Sequence, residues 1–419
     1  MSAARPPARP SLLLIGGGIG GMAAALALAR LGMRIELLEQ SARIGEIGAG
    51  LQLAPNAFAA LDALGIGAEV RRGAVFTERL VLMDAVDCSE VASVPVGEAF
   101  RRRFGNPYAV THRADLHEAI HAAVQRHPLI RLHTSAHVSA LQLGADAVAA
   151  RTTDGRVFRA DGLVGCDGVK SVVRERVVGD GVRVTGHVVY RAVVPTPAMP
   201  ADLRWNAPVV WGGPNCHLVH YPLRGGDQYN LVLTFHSRER EEWGVRDGSK
   251  DEVLSYFQGV HARPRQLLDL PTSWRRWATA DREPVARWSA GRATLLGDAA
   301  HPMMQYLAQG ACMALEDAVA LGAAVRHCDY DLPAAFRLYE QARATRAARV
   351  VLMVREMGRI YHASGVERLV RNDLWKGRSA ERFYDSLEWL YGWRAEHCLA
   401  DVGVAQATIP EQGVARDAA

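Results

Sequence analysis

The sequence predicts an α/β protein: a doubly wound, Rossmann-like nucleotide-binding domain with an inserted antiparallel sheet and C-terminal helices. Three observations predict it. A strand, a glycine loop, a helix and a second strand follow one another within residues 11–39. Short strands separated by Gly-rich turns fill residues 185–280. Small-residue and amphipathic helical stretches follow residue 310. The 419 residues suffice for more than one domain. With 49% hydrophobic and 22% charged residues, wholesale disorder is excluded.

The elements read in order as follows. Ser11 to Ile15 is a short buried strand, and Gly16-Gly17-Gly18-Ile19-Gly20-Gly21 follows directly. Met22 to Leu31 is Ala/Leu-rich and helical, and Arg34 to Leu38 is a strand ending at Glu39. Arg113 to Gln125 reads as a helix, and Val157 to Cys166 as one strand running into Asp167-Gly168. Val209 to Trp211, Cys216 to Tyr221 and Tyr229 to Phe235 are short strands divided by Gly-rich turns, which is an antiparallel meander. Ala293 to Leu296 is a strand ending in Gly297-Asp298. Ala311 to Val325 suits a buried helix, and Leu338 to Ile360 a long amphipathic one. The expected division is a discontinuous nucleotide-binding domain (11–75, 105–184 and 281–335), a substrate-binding β-sheet domain (76–104 and 185–280) and a helical region (336–408). Residues 1–10 and 409–419 read as tails.

Several function classes are excluded. The net charge is only +4, its arginines are scattered, and the densest basic run is Arg101-Arg102-Arg103. A nucleic-acid binder shows a clustered basic stripe, so none is expected; anionic small molecules are the milder partner. Six cysteines form no C-x-x-C pair, which excludes a zinc ribbon and fits a reducing compartment. Leu12 to Ile15 is too short for a signal-peptide core, and no apolar run reaches the ~18–20 residues of a membrane span. A soluble cytoplasmic protein is expected. His117-Glu118-Ala119-Ile120-His121 matches the zinc-protease pattern H-E-x-x-H, and His127 falls at a third-ligand spacing. The glycine required between them is Val124, and a continuous helix puts His127 ~240° round from His121. The match is read as chance, and no metal is expected.

Gly16, Gly18 and Gly21 fit G-x-G-x-x-G. The first permits the tight turn, the second lets a pyrophosphate approach the backbone, and the third allows helix–strand packing. The helix start then offers free N–H groups and a positive dipole end to the phosphates. Glu39, 18 residues past Gly21, stands where a carboxylate accepts from ribose hydroxyls. The motif alone does not say which dinucleotide binds.

Two later segments decide it by resemblance. Gly165-Cys166-Asp167-Gly168-Val169-Lys170-Ser171 with Arg174, and Leu296-Gly297-Asp298-Ala299-Ala300-His301-Pro302, resemble the "DG" and "GD" motifs of flavin-dependent aromatic hydroxylases. With the N-terminal glycines, three motifs stand in the order of the single-component, class A flavoprotein monooxygenases, and the resemblance spans roughly residues 11–400. It implies FAD as the held cofactor. Asp298 is then the partner of the ribityl chain. Gly310 and Ala311 start a helix aimed at the N1–C2=O edge of the flavin, where a dipole end favours the reduced anion. Arg113 matches the family's arginine near the FAD ribose and phosphates, and Asp167 is assigned to cofactor binding. With one full fingerprint in the chain, NADH is expected as a transient donor. The chemistry implied is reduction of FAD by NADH, addition of O2 at flavin C4a, and transfer of oxygen from that hydroperoxide to an activated ring.

Such a site needs a base near a ring hydroxyl, anchors for a carboxylate and a dry pocket. In Cys216-His217-Leu218-Val219-His220-Tyr221, strand alternation puts His217, Val219 and Tyr221 on one face. An imidazole of ordinary pKa near ~6.5 suits the base, and His220, on the other face, is structural. Six segments resemble the branch of the family that hydroxylates 3-hydroxybenzoate para to its hydroxyl, giving gentisate. They are Gly213 to His217, Tyr221 to Gly226, Asp281 to Pro284, His301 to Ala311, Arg371 to Leu374 and Trp389 to Gly392. Gln305-Tyr306-Leu307-Ala308 departs from the usual salicylate hydroxylase pattern. By that resemblance His217 assists deprotonation of the phenol and Gln305 orients it, while Tyr108 and Tyr221 hold the carboxylate or line its pocket. The alternatives are a salicylate or 6-hydroxynicotinate hydroxylase, a non-oxygenating flavin oxidoreductase, or a non-catalytic FAD-binding protein. The C-terminal aromatics Trp375, Trp389, Tyr391 and Trp393 are expected to cover the FAD domain and contribute to a homodimer.

Overall fold

The computed structural model describes residues 9–45 and 50–402. The expected tail 409–419, and residues 1–8 of the N-terminal one, lie outside the described residues. A six-stranded sheet has Ser11–Ile15 at its centre, hydrogen-bonded in parallel to Arg34–Leu38 on one side and Gly162–Gly165 on the other. Ile130–His133 extends one edge, and Ala293–Leu295 with the short antiparallel Ser289–Ala290 the other. Leu12, Leu13 and Leu14 are wholly buried, as expected where helices cover both faces of a parallel sheet.

Three motifs and Glu39 meet because the register brings the strand ends level. Ile15 stands opposite both Leu38 and Gly165, and Gly165 opposite Leu295. Gly16, Glu39, Asp167 and Asp298 thus all follow the carboxyl ends of four adjacent parallel strands, where open α/β sheets bind their ligands.

The meander forms an eight-stranded sheet with Arg183–Pro195, Gln228–His236, Cys216–Leu223 and Val209–Gly213 in neighbouring order. It is antiparallel except where Val209–Gly213 runs parallel to Arg79–Asp84. One face packs on its own core around Trp211, Leu218, Leu233 and Phe235. The other carries Val189, Val219, Tyr221 and Val232 toward the nucleotide-binding sheet.

Helices Gly310–His327, Leu332–Tyr361, Gly365–Trp375 and Ala380–Tyr391 complete the fold. The second begins six residues before the expected Leu338, because Asp331 caps it by accepting from the Ala334 N–H at 3.2 Å and Pro333 occupies its first turn. The segment expected as one strand, Val157 to Cys166, is two: Val157–Ala160 lies in a three-stranded sheet and Gly162–Gly165 in the parallel one. Asp161 makes the break. Its carboxylate accepts from both the backbone N–H and the hydroxyl of Ser11, at 2.7 and 2.8 Å, and so steers the chain between sheets.

Candidate active site

A cavity of about 700 Å³ runs between the two large sheets and under the C-terminal helices. At one end lie the glycine loop and the strand ends. Gly16 has φ +109°, and a Cβ there would lie 2.3 Å from the Cys166 carbonyl. A Cβ on Gly21 would lie 1.9 Å from the Gly16 carbonyl oxygen. Gly18 differs: its Cβ would meet nothing within 4 Å and would project into space lining the cavity. Two glycines thus serve the fold, and the third leaves a bare backbone open to a ligand. Gly18→Ala should therefore fold normally and lose FAD affinity, measured by fluorescence titration of the apoprotein. Unchanged affinity would remove Gly18 from the phosphate cradle. Gly21→Ala should instead lower soluble yield.

Glu39 sits beside this loop. Its Oε2 accepts from the Gly17 N–H and its Oε1 from the Ser41 N–H, both at 2.7 Å, which fixes the carboxylate and leaves lone pairs for a diol. Asp298 is exposed although Gly297 and Ala299 on either side are buried, and it lines the cavity with Gly310 and Ala311. Those two residues open an 18-residue helix, so its unpaired N–H groups and positive dipole end face the same space. Arg113, the first residue of helix Arg113–Arg126, lines the cavity too. The donor set fits FAD: an open glycine loop, a diol acceptor, a ribityl acceptor and a helix N-terminus for a flavin anion. Asp167 is placed differently from the rest. Its neighbours Cys166 and Gly168 line the cavity, while its own carboxylate accepts from the Val172 N–H at 2.8 Å and from the hydroxyl of Ser171, the residue that caps helix Val172–Val177. It holds the turn's shape.

Beneath this end lies a buried charge network. Asp317 accepts from the Gly297 N–H at 2.9 Å, from His301 Nε2 at 2.6 Å and from Arg343 at 2.7 Å. Arg343 also reaches Glu316 at 2.6 Å, and Arg346 and Asn56 complete the Glu316 shell. Burial alone would raise both carboxyl pKa values; the adjoining cations hold them below the ordinary range. The network fixes the turn that presents Asp298.

The other end of the cavity is built on Cys216–Leu223. His217, Val219 and Tyr221 line it, while Cys216 and Leu218 join the opposite core. His220 is buried against Trp211, and neither ring nitrogen has a partner among the described residues. Gln305 lines the cavity and donates its amide to Thr234 Oγ1 at 3.1 Å; Thr234 is the cross-strand partner of His217. Strand register thus sets Gln305 beside His217. Tyr108 is buried, and its hydroxyl donates to Gln52 Oε1 at 2.6 Å. Tyr221 packs on Gly50, and its hydroxyl has no hydrogen-bond partner among the described residues.

His217 departs from an ordinary imidazole. Burial, with a contribution from His187, pushes its pKa down to about 3, so it rests neutral. Its Nδ1 lies 2.8 Å from His362 Nε2, and Tyr306 and Tyr361 close the ring of neighbours. The expected pKa near ~6.5 is corrected by this enclosure.

Sequence reasoning missed two residues here. Arg191 lines the cavity from the strand Arg183–Pro195. It stacks on Trp277 and has no carboxylate partner among the described residues. Burial lowers its pKa; Tyr221 opposes the shift and the nearby Arg113 adds to it. A lone arginine between Val188-Val189-Tyr190 and Ala192-Val193-Val194 was the available signal. His362, 145 positions from His217, gave none. The H-E-x-x-H segment is engaged otherwise: His117 Nε2 bonds the Gly17 carbonyl at 3.2 Å, and His127 caps the helix end. Among the described residues no His/Cys/Asp/Glu group is arranged to hold a metal, and no helix is long and apolar enough to cross a membrane.

A dinucleotide cradle at the strand ends opens into a pocket that carries an imidazole and an amide, the arrangement a flavin-dependent hydroxylase needs. The chain belongs to the class A flavoprotein monooxygenases, the FAD-dependent aromatic hydroxylases. The FAD binding domain family matches residues 10–355. The chain is 61% identical over 387 residues to the 3-hydroxybenzoate 6-hydroxylase of Klebsiella oxytoca, covering 92% of this chain and 98% of that one. It is 60% identical over 394 residues to the 3-hydroxybenzoate 6-hydroxylase of Polaromonas naphthalenivorans (94% and 98% covered). A salicylate hydroxylase substrate complex superposes with TM-score 0.80 at 26% identity, over 96% of this chain and 100% of that one.

Proposed function

We propose that this enzyme hydroxylates 3-hydroxybenzoate para to its hydroxyl, forming gentisate with consumption of NADH and O2. The observation that carries the reading is the pairing, in one pocket, of the His217 imidazole with the Arg191 guanidinium, which has no carboxylate partner among the described residues. His217 and Tyr221 lie four residues apart on one strand face, about 13 Å along it. That leaves room for one substituted benzene ring with a polar group at each end. FAD, when bound, supplies the chemistry that takes electrons from NADH and activates dioxygen.

The chain's own residues do the rest. Gln305, anchored on Thr234, orients the phenol. His217 accepts the phenol proton at Nε2, the nitrogen left over from the contact with His362. The resulting phenolate activates the para carbon toward an electrophilic oxygen. The negative charge that the substrate brings raises the His217 pKa from its resting value, so the base strengthens as the pocket fills. Arg191 and Tyr221 hold the carboxylate, with Tyr108 in the wall. Met357, Ile360, Leu390 and Tyr391 give the cavity a largely apolar wall.

Supporting this reading is the high identity to two proteins named for it. Testing it means chromatography of products from 3-hydroxybenzoate, salicylate and 6-hydroxynicotinate under air. Gentisate from the first, at far higher kcat/KM than any product of the others, is the expected result; preference for either alternative overturns the substrate assignment. Arg191→Met should raise KM for 3-hydroxybenzoate by about 10–100-fold while sparing FAD, since a charge-assisted bond to the carboxylate is worth roughly 1.5–3 kcal/mol. An unchanged KM would move the carboxylate elsewhere.

The proposed domain division is the one the sequence suggested, with residues 11–75, 105–184 and 281–335 holding FAD and 76–104 with 185–280 holding substrate. A homodimer is proposed through the helix Gly365–Trp375. Its Val366, Leu369, Val370 and Leu374 are 51–73% exposed, an apolar face a second copy would cover. A monomer mass in sedimentation equilibrium would contradict it.

A further inference from the structure

His217 is one member of a histidine cluster that reaches the surface. His217 is buried, His362 and His187 are part-exposed, and His236 is exposed. The His217 Nδ1–His362 Nε2 distance of 2.8 Å requires that one nitrogen donate and the other accept. If His217 is to take a proton at Nε2, that nitrogen must be bare, so Nδ1 carries the hydrogen and His362 Nε2 accepts. This tautomer is the one that lets a proton enter at one edge of His217 and leave at the other.

We propose that His362 is the positioning and proton-relay residue for His217, carrying the substrate's phenolic proton from the buried His217 to water. The proposal rests on the reading of His217 as the base for a phenol. The step balances without a co-reactant. The phenol O–H bond breaks and its proton binds His217 Nε2. The proton on His217 Nδ1 passes to His362 Nε2, and His362 releases one proton to solvent from its other nitrogen. His217 is left with its hydrogen on Nε2 until the relay runs backward or the ring turns.

Three features favour the transfer. Burial opposes a lasting charge on either imidazole, so uptake of a proton at His217 Nε2 is coupled to loss of one from its Nδ1 edge. His362 follows the last residue of the 30-residue helix Leu332–Tyr361, whose carbonyl end favours a passing cation. Its backbone is pinned as well, with its carbonyl accepting from the Asn215 N–H at 3.0 Å. The imidazole of His187 also stands beside His362. Tyr306 and Tyr361 face His217. Tyr306, His187 and His217 face His362. Burial and the neighbouring histidines keep the resting His362 neutral. His236, Asp281 and Arg183 act on His187, whose Nδ1 meets the Tyr306 hydroxyl at 2.6 Å. Arg371, beside Gly212 across the strand from His217, is paired with Asp84.

Two substitutions separate relay from packing. In His362→Gln the amide oxygen can still accept from His217 Nδ1 but cannot carry a proton. The holoenzyme variant should keep FAD, bind 3-hydroxybenzoate within about 2-fold, and be reduced by NADH at the wild-type rate. Ionisation of the bound phenol, followed by its phenolate absorbance after rapid mixing, should slow by roughly 10–100-fold at neutral pH. The deficit should shrink as pH rises toward the phenol's own pKa, near ~10. His362→Ala is the second route, and added imidazole should restore its ionisation rate. Wild-type ionisation and pH profile in His362→Gln, or failure of imidazole to rescue His362→Ala, overturns the relay alone. Wild-type enzyme that binds 3-hydroxybenzoate without ionising it overturns the role of His217, and the relay with it.

Discussion

Replacing His217 by alanine should leave FAD bound and reducible yet slow hydroxylation by about 10²–10⁴-fold. The side chain lines the cavity but touches no part of the nucleotide cradle, so the two functions separate cleanly. Stopped-flow reduction by NADH and rapid-quench detection of product measure them independently. The pH dependence carries a second signature. Because burial and His187 hold the resting imidazole at about 3, the free enzyme stays competent well below the ordinary histidine value. A kcat/KM profile of the wild type should show no acid limb near pH 6.5 attributable to His217. Normal turnover in His217→Ala would remove this residue from the mechanism.

Arg343→Ala should be a strongly destabilising change, because this residue of the helical region holds two buried carboxylates of the FAD-binding segments. Arg343 is wholly buried and joins Glu316 and Asp317, both equally buried. Breaking such a pair strands uncompensated charge and costs about 3–5 kcal/mol. Once Arg343 is gone, burial acts on the two carboxylates with less opposition, and they will take up protons. In the wild type their depressed pKa values contribute stability above the unfolded carboxylate range, near ~4, which is lost as pH falls through the lower folded values. The variant should therefore show a lower Tm at neutral pH and a flatter decline on acidification. FAD should also leave more readily, because Asp317 holds Gly297 and so aims Asp298. A wild-type Tm would contradict this account of the network.

What the sequence made legible was local. The glycine loop and Glu39 belong to one βαβ unit, and their spacing already implied their meeting. Alternation along Cys216–Leu223 separated His217 from His220 without any knowledge of the sheet. The break at Asp161 was not legible, since it depends on Ser11, 150 positions away. Nor were the bonds of Asp167 to Ser171 and Val172 at the start of the next helix. Arg191 was visible as a charge in an apolar strand, but its lack of an acid partner appears only in three dimensions. His362 reaches His217 through the packing of a 30-residue helix on a sheet, a contact that no periodicity encodes.

The most direct test of the central claim is a single turnover of holoenzyme with NADH and 3-hydroxybenzoate under ¹⁸O2, read by mass spectrometry. The account predicts gentisate in step with NADH consumed, with one labelled oxygen at the new hydroxyl para to the old one. NADH consumption that yields only hydrogen peroxide, or a product carrying oxygen from water, would contradict it.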